Sequence, residues 1–286
     1  MNDLREHIER TLGQDVTALA PLGGGDVADA YHVTLADGEQ VFAKTRRGSP
    51  PGFFVTEAAG LAWLREAAAA PIPEVLGVSE DPPALILEWI EPGRAVASTE
   101  ADFGRALAAL HAAGAPCFGR EDRRSTGSRG LPNEPCATWA EFYATNRLLP
   151  LARLAADAGA LPRGAIRDLE SIAGRLDELG GSAAAEAPAR LHGDLWGGNR
   201  LVGRGGVSWL IDPAAHGGHR EFDLAMMRLF GGFGEDCFAA YEETAPLAAG
   251  WQGRVALHQL APLAVHAIKF GGSYAGETRR ALDVYC

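Results

Sequence analysis

The sequence has little of what marks exported or membrane proteins. Its first residues, MNDLREHIER, carry alternating charges where a signal peptide needs a continuous apolar stretch. The most apolar late stretch, residues 255–268, is interrupted by His258, Gln259 and His266 and is too short to cross a bilayer. We therefore expect a cytoplasmic protein without a transmembrane segment.

Cysteine and positive charge are also scarce. The four cysteines lie far apart and form neither a CxxC pair nor a Cys/His cluster. We therefore expect reduced thiols and no zinc-thiolate site. Acidic residues outnumber basic ones by 37 to 26, which gives a formal net charge of −11. Nonspecific attraction to nucleic acid or to an anionic membrane is thereby disfavoured. Any phosphate site must be built locally.

The first part of the chain predicts a small antiparallel sheet flanked by helices. Helical spacing covers residues 3–12, and a second helix is predicted over residues 54–69. Asp37-Gly38 lies between two apolar runs and is typical of a hairpin turn, because both residues tolerate positive φ. The apolar run ALILEWI ends at Glu91-Pro92-Gly93, where we place a lobe boundary.

The second part is predicted to be mainly helical, with apolar stripes over residues 99–113, 139–158 and 163–179. Residues 120–137 are polar and rich in Gly and Pro, and they predict a surface loop. Residues 180–187 predict a flexible connection. The expected fold class is α+β, with an N-terminal lobe over residues 1–91 and a helical lobe over residues 92–286.

The segment LHGDLWGGNRLVGRGGVSWLIDPA, residues 191–214, carries the strongest chemical signal. An HxD triplet is followed five residues after its aspartate by Asn199, and a predicted hairpin then leads to Asp212. This order resembles the catalytic loop and metal-binding aspartate of protein-kinase-like phosphotransferases, which implies a two-lobed kinase fold. In that reading Asp194 is the base, and Asn199 and Asp212 hold Mg²⁺ through oxygen atoms.

Further candidates for an ATP site lie upstream. Gly23, Gly24 and Gly25 precede a strand and could place backbone N–H groups over phosphates, although three glycines are also typical of a flexible turn. Lys44 ends the strand VFAK, and Glu57 lies on the following helix, in the order of the kinase lysine and its orienting glutamate.

Adenine recognition is expected in the strand that ends the first lobe. Backbone groups from Glu88 to Ile90 are in position to bind the base, although core packing explains the preceding apolar residues equally well. Later in the chain, Asp223 is a candidate to brace the catalytic loop or, alternatively, to face the N-terminus of its helix.

Beyond the kinase pattern, LHGDLWGGN, IDPA, GHREFDLAMM and LFGGF resemble the fructosamine kinase (ketosamine-3-kinase) family, as does most of the chain. The resemblance implies phosphorylation, by ATP and Mg²⁺, of the sugar 3-hydroxyl of ketosamines, and hence deglycation. The acceptor would be a small ribulosamine or fructosamine or a glycated protein, with no nucleic acid or membrane partner. The resemblance does not indicate whether the protein is a monomer or a homodimer.

The acceptor site is less defined. Trp196 is a candidate to stack on the sugar or simply to pack, and His219 and Glu221 are candidates to line the acceptor pocket. An aminoglycoside- or choline-type phosphotransferase would share the catalytic loop and metal residues. A non-catalytic ATP-binding module is a further alternative, but the presence of Lys44, Asp194 and both metal candidates disfavours it.

Overall fold

A computed structural model describes residues 2–23, 28–122, 125–126 and 130–286, and these form two compact units. The first unit contains residues 1–99 together with residues 199–213. The second contains residues 100–198 and 214–286. The predicted boundary lies after residue 91, whereas the first unit extends to residue 99 and also includes residues 199–213.

The first unit is built on a five-stranded antiparallel sheet in the order β1-β2-β3-β5-β4. The predicted Asp37-Gly38 hairpin joins β2 to β3, and Gly38 has the expected positive φ of 88°. The elements are α1 (Asn2–Leu12), β1 (Val16–Leu22), β2 (Asp29–Leu35), β3 (Gln40–Thr45), α2 (Phe53–Arg65), β4 (Val75–Glu80) and β5 (Pro83–Glu88).

The helix α2 ends four residues before its predicted end. Its alanine-rich continuation has high helix propensity, but Ala68 lies in the left-handed region with φ of 48°. The Arg65 guanidinium donates to the Ile72 carbonyl at 2.7 Å, and this bond fixes the returning chain beside the helix end. Tertiary contacts thus override local propensity here.

A short hairpin from the middle of the chain joins the first unit, which explains the shifted boundary. It consists of β9 (Arg200–Val202) and β10 (Ser208–Leu210). The Gly93 N–H donates to the Val202 carbonyl at 2.8 Å, and the Leu210 N–H donates to the Pro71 carbonyl at 3.0 Å. A side chain at Gly93 would collide with the Gly203 backbone, so glycine is required at this crossing.

The second unit is mainly helical, as predicted, and its core is centred on Trp139, Tyr143 and the long helix α10. A π-turn over Ala144–Leu148 joins α4 to α5 within the predicted helix 139–158. The elements are α3 (Thr99–Ala112), β6 (Ser125–Thr126), β7 (Leu131–Pro132), α4 (Trp139–Tyr143), α5 (Leu149–Asp157), α6 (Arg163–Ala173), α7 (Leu176–Gly180), β8 (Ala189–Leu191), β11 (His216–Gly218), α8 (Glu221–Phe230), α9 (Glu235–Thr244), α10 (Trp251–Phe270) and α11 (Tyr274–Leu282).

Two segments of this unit are more ordered than the sequence predicts. Asn133, in the expected surface loop, is fully buried, and Arg147 binds both its side chain and the Pro132 carbonyl. Residues 181–185, within the expected flexible connection, form a 3₁₀ turn. Gly180 just before it packs against the Trp139 ring so closely that no larger residue fits. Packing with distant residues orders both segments.

Candidate active site

The first unit gathers Lys44, Glu57 and Asp212 into one ionic cluster. Strand β3 carries Lys44, helix α2 carries Glu57, and Asp212 follows β10. The Lys44 ammonium lies 2.5 Å from a Glu57 carboxylate oxygen and 2.6 Å from an Asp212 carboxylate oxygen. The predicted Lys44–Glu57 ion pair is therefore present, and the second contact, with Asp212, has no sequence signal.

Burial and charge act in opposite directions on this cluster. Burial alone would lower the pKa of Lys44, but the two carboxylates outweigh it and raise that pKa. Burial raises the pKa of Glu57 to about 7, with a further contribution from Asp212 and against the effect of Lys44. The Asp212 side chain, by contrast, is half exposed. Lys44 is thus held as a cation whose more accessible partner is Asp212.

The β9–β10 hairpin brings Asn199 and Asp212 together, as predicted. The Ile211 N–H donates to the Asn199 carbonyl at 3.1 Å, and the Asn199 amide donates to the Asp212 carbonyl at 3.4 Å. Asp212 has φ of 52°, a left-handed conformation that Asp tolerates better than most residues and that is often found at functional sites. Carboxylate and amide oxygens are the ligands that Mg²⁺ prefers, so this pair fits the metal.

The second unit contains the HxD triplet, which follows β8 and is fixed from behind by Asp223 on helix α8. The fully buried Asp223 carboxylate accepts hydrogen bonds from the His192 N–H at 2.8 Å and the Gly193 N–H at 2.9 Å. The Asp194 N–H in turn donates to the His192 ring at 3.2 Å. Of the two readings of Asp223, the structure supports the brace, because the carboxylate binds the loop directly.

Two residues that the sequence did not single out stand behind this brace. The His111 ring, on α3, contacts the Asp223 carboxylate through Nε2 at 3.3 Å, and its Nδ1 lies 2.8 Å from the Tyr241 hydroxyl. Burial raises the pKa of Asp223, but His111 and the loop N–H groups reverse this and lower it. A buried, ionised carboxylate therefore anchors the loop that carries Asp194.

Trp196 is a large aromatic side chain left exposed beside this loop, with 42% of its surface accessible. Its ring lies so close to Gly198 that a Cβ there would come within 2.3 Å of it. The Gly197 N–H, between Trp196 and Gly198, donates to the Gly231 carbonyl at 3.1 Å. Gly198 thus leaves room for the indole ring, which stays exposed rather than packed in the core.

His219 and Glu221, the predicted acceptor-lining residues, are instead buried and engaged in hydrogen bonds. His219 donates from Nε2 to the Ala183 carbonyl at 2.9 Å and accepts at Nδ1 from the Glu221 N–H. Arg254 binds both Glu221 carboxylate oxygens, at 2.6 and 2.9 Å.

Burial and these bonds together set the protonation of the cluster. Burial lowers the pKa of His219 to about 4. Burial alone would raise the pKa of Glu221, but hydrogen bonds from His258 and Arg254 outweigh it and lower that pKa to about 2. His219, Glu221 and His258 lie close enough to suggest a metal site, but neither ring nitrogen of His219 has a lone pair to spare. The cluster is best explained as structural.

The remaining predicted residues concern the nucleotide. Gly24 and Gly25 lie outside the described residues, while Gly23 follows β1 with open space beside its backbone. Glu88 ends β5, and its N–H donates to the Glu74 carbonyl at 3.0 Å. Adenine recognition here would therefore use the Glu88 carbonyl and the backbone of Ile90, and it stays a prediction.

The profile of the family described as fructosamine kinase matches residues 1–286. The chain belongs to this family. A probable ketoamine kinase of Synechocystis is 33% identical over 98% of this chain and 94% of its own length. The protein-ribulosamine 3-kinase of Arabidopsis thaliana is 31% identical over 94% of this chain and 83% of its own length.

Solved structures extend the fructosamine kinase resemblance to the fold. A Thermobifida fusca protein named as a fructosamine-3-kinase superposes with a TM-score of 0.91 at 41% identity, covering 99% of this chain and 98% of its own. The choline kinase LicA of Streptococcus pneumoniae superposes with a TM-score of 0.64 at 16% identity, over 98% and 96% of the two chains. The predicted α+β, protein-kinase-like fold is confirmed. None of the helices in the described part of the chain combines the length and the apolar character that a membrane span requires.

Proposed function

We propose that this protein is an ATP-dependent ketosamine 3-kinase, which transfers the γ-phosphoryl group of ATP to the sugar 3-hydroxyl of ribulosamine or fructosamine adducts. The observation that carries the proposal is the Lys44–Glu57–Asp212 cluster, in a chain that matches the fructosamine kinase family over its full length. The lysine and both of its acidic partners are retained, which disfavours a non-catalytic ATP-binding module.

In this proposal the first unit holds the nucleotide. Lys44 neutralises α- and β-phosphate charge, and Glu57 keeps the flexible lysine side chain in place through the 2.5 Å contact. Residues 23–25 are the candidates to bind the phosphates through backbone N–H groups, with Gly24 and Gly25 outside the described part of the chain, and the backbone at Glu88 and Ile90 is the candidate to bind adenine. Lys44 lies on a strand and Glu57 on a helix, so the geometry of this pair is set by regular structure rather than by a loop.

Asn199 and Asp212 are the residues that would hold Mg²⁺. When bound, the ion neutralises charge on the β- and γ-phosphate oxygens. The protein's part is to orient the ligands: the Asn199 backbone carbonyl accepts from Ile211, and its side chain reaches the Asp212 backbone. The hairpin thereby fixes the backbone positions from which both side chains would reach the ion.

Asp194 is proposed to accept the proton of the acceptor 3-hydroxyl. The oxygen then attacks the γ-phosphorus while the bond to the leaving ADP oxygen breaks, so one P–O bond replaces another. Asp223 orients the base indirectly, through the backbone of His192 and Gly193. A base held in hydrogen-bond reach contributes roughly 10²- to 10⁴-fold.

Trp196 is proposed to stack on the apolar face of the sugar, because it is the exposed aromatic side chain of the catalytic segment. His219 and Glu221 are not proposed as acceptor contacts, since both are buried in the network with Ala183 and Arg254. They fix the start of α8 instead. The acceptor is a small ketosamine or a glycated protein, and the name of the Arabidopsis relative favours ribulosamines. A cytoplasmic location is part of the proposal.

The test is ATP consumption by the purified protein with Mg²⁺ and ribulosyl-lysine or fructosyl-lysine, with ³¹P NMR to identify the phosphorylated position. Choline and an aminoglycoside serve as competing acceptors, since choline kinase shares the fold at 16% identity. We expect phosphorylation at O3 of the ketosamine and loss of turnover in Asp194→Asn. Phosphorylation of choline or the aminoglycoside in preference to both ketosamines would refute the proposed acceptor.

A further inference from the structure

The Lys44 ammonium has two carboxylate partners in the same unit, and only one of them is expected from the kinase pattern. Glu57 is nearly buried, whereas Asp212 keeps half of its side-chain surface exposed. The ammonium nevertheless lies almost equally close to both, at 2.5 and 2.6 Å. The lysine is therefore a counter-ion of the proposed metal ligand.

This pairing has a direct consequence for a divalent cation. Such an ion would bind the same Asp212 carboxylate that Lys44 contacts, and it would approach a cation held within 2.6 Å of that group. Like charges at this distance in a partly buried site repel strongly. The Lys44 side chain is itself buried and held by Glu57, so it does not move away into water.

We propose that Lys44 excludes divalent metal from the nucleotide-free protein, so that the metal enters only together with ATP. The inference rests on the proposed function for the identity of the metal ligands, and it adds an order of binding. The polyphosphate of ATP offers Lys44 a more highly charged anionic partner. Once the ammonium turns to the phosphates, Asp212 is released to the ion, with Asn199 beside it.

Removing the ammonium should accordingly create a metal site. In Lys44→Met, the half-exposed Asp212 carboxylate loses its counter-ion and becomes available, with the Asn199 side chain beside it, to a divalent cation. Lys44→Arg keeps the positive charge and serves as the matched control. Asp212→Asn in the Lys44→Met background removes the ligand that the lysine is proposed to protect.

The experiment uses Mn²⁺ as a spectroscopic substitute for Mg²⁺, with the free ion followed by electron paramagnetic resonance in the absence of nucleotide. We expect Lys44→Met to bind one Mn²⁺ at least tenfold more tightly than the wild type or Lys44→Arg. The double variant should lose that site. Circular dichroism checks that each variant is folded, and Lys44→Gln replaces Lys44→Met if the latter does not fold.

One result would overturn the inference: a folded variant without the ammonium, Lys44→Met or Lys44→Gln, that binds Mn²⁺ no more tightly than the nucleotide-free wild type. The readout involves neither an acceptor nor turnover, so failure here is distinct from failure of ketosamine phosphorylation.

Discussion

Replacing Asp223 by Asn should weaken both the fold and the reaction, because this carboxylate is fully buried and serves three donors. The amide that replaces it has one acceptor oxygen, so at least one loop N–H would face an NH₂ group. An unsatisfied buried donor costs about 1–3 kcal/mol, and a lost hydrogen bond to a charged group costs about 1.5–3 kcal/mol. We expect a loss of about 3–5 kcal/mol, a large part of the roughly 5–15 kcal/mol that stabilises a domain.

Urea unfolding at neutral pH measures this loss, and turnover with a ketosamine measures the effect on the loop. We expect kcat to fall at least tenfold under conditions where the variant is folded, because the His192 and Gly193 backbone no longer fixes Asp194. Asp236→Asn, on the exposed face of α9, is the matched control; it should leave kcat unchanged and cost no more than about 1 kcal/mol, the value of a charge at a helix N-terminus. A loss below about 1 kcal/mol with unchanged kcat would show that the brace is not needed.

Three further predictions follow from burial and packing. Burial lowers the pKa of His216 to about 3 and that of His219 to about 4, so stability should fall as the pH drops from 6.5 towards 4. In His219→Gln stability should depend less steeply on pH over this range, and an unchanged slope would contradict this prediction. The raised pKa of Glu57, about 7 against 4.5, should add stability at low pH that is lost as pH rises through 7, so Glu57→Gln should lack this decline in urea titrations. Trp196→Ala should raise the ketosamine KM by up to about tenfold without lowering stability. Gly198→Ala, whose methyl group would displace the indole ring, should also raise the KM. An unchanged KM in both variants would contradict the proposed stacking.

Local patterns in the sequence were sufficient to predict the parts of the site that lie on regular structure. Lys44 is the penultimate residue of β3 and Glu57 follows on the next helix, so their pairing could be anticipated from chain order. The hairpin between Asn199 and Asp212 was indicated by its glycine-rich turn. These are short-range features, in which the spacing of residues largely determines which side chains meet.

The parts that were missed depend on contacts between segments far apart in the chain. His111 and Tyr241 lie 130 positions apart and meet behind Asp223 only after folding. The burial of His219 and Glu221 likewise requires Ala183 and Arg254, from a turn and a helix with no recognisable motif. A motif such as GHREFD can therefore be read for family membership, while the orientation of each side chain within it cannot.

The central claim is phosphoryl transfer from ATP to O3 of a ketosamine, with Asp194 as the base. The most direct measurement is ³¹P NMR of the product formed from ribulosyl-lysine by the wild type and by Asp194→Asn. The account predicts a 3-phosphorylated ketosamine from the wild type and a rate lower by roughly 10²- to 10⁴-fold in the variant, with ATP binding retained. A product phosphorylated elsewhere, or equal rates in both proteins, would contradict it.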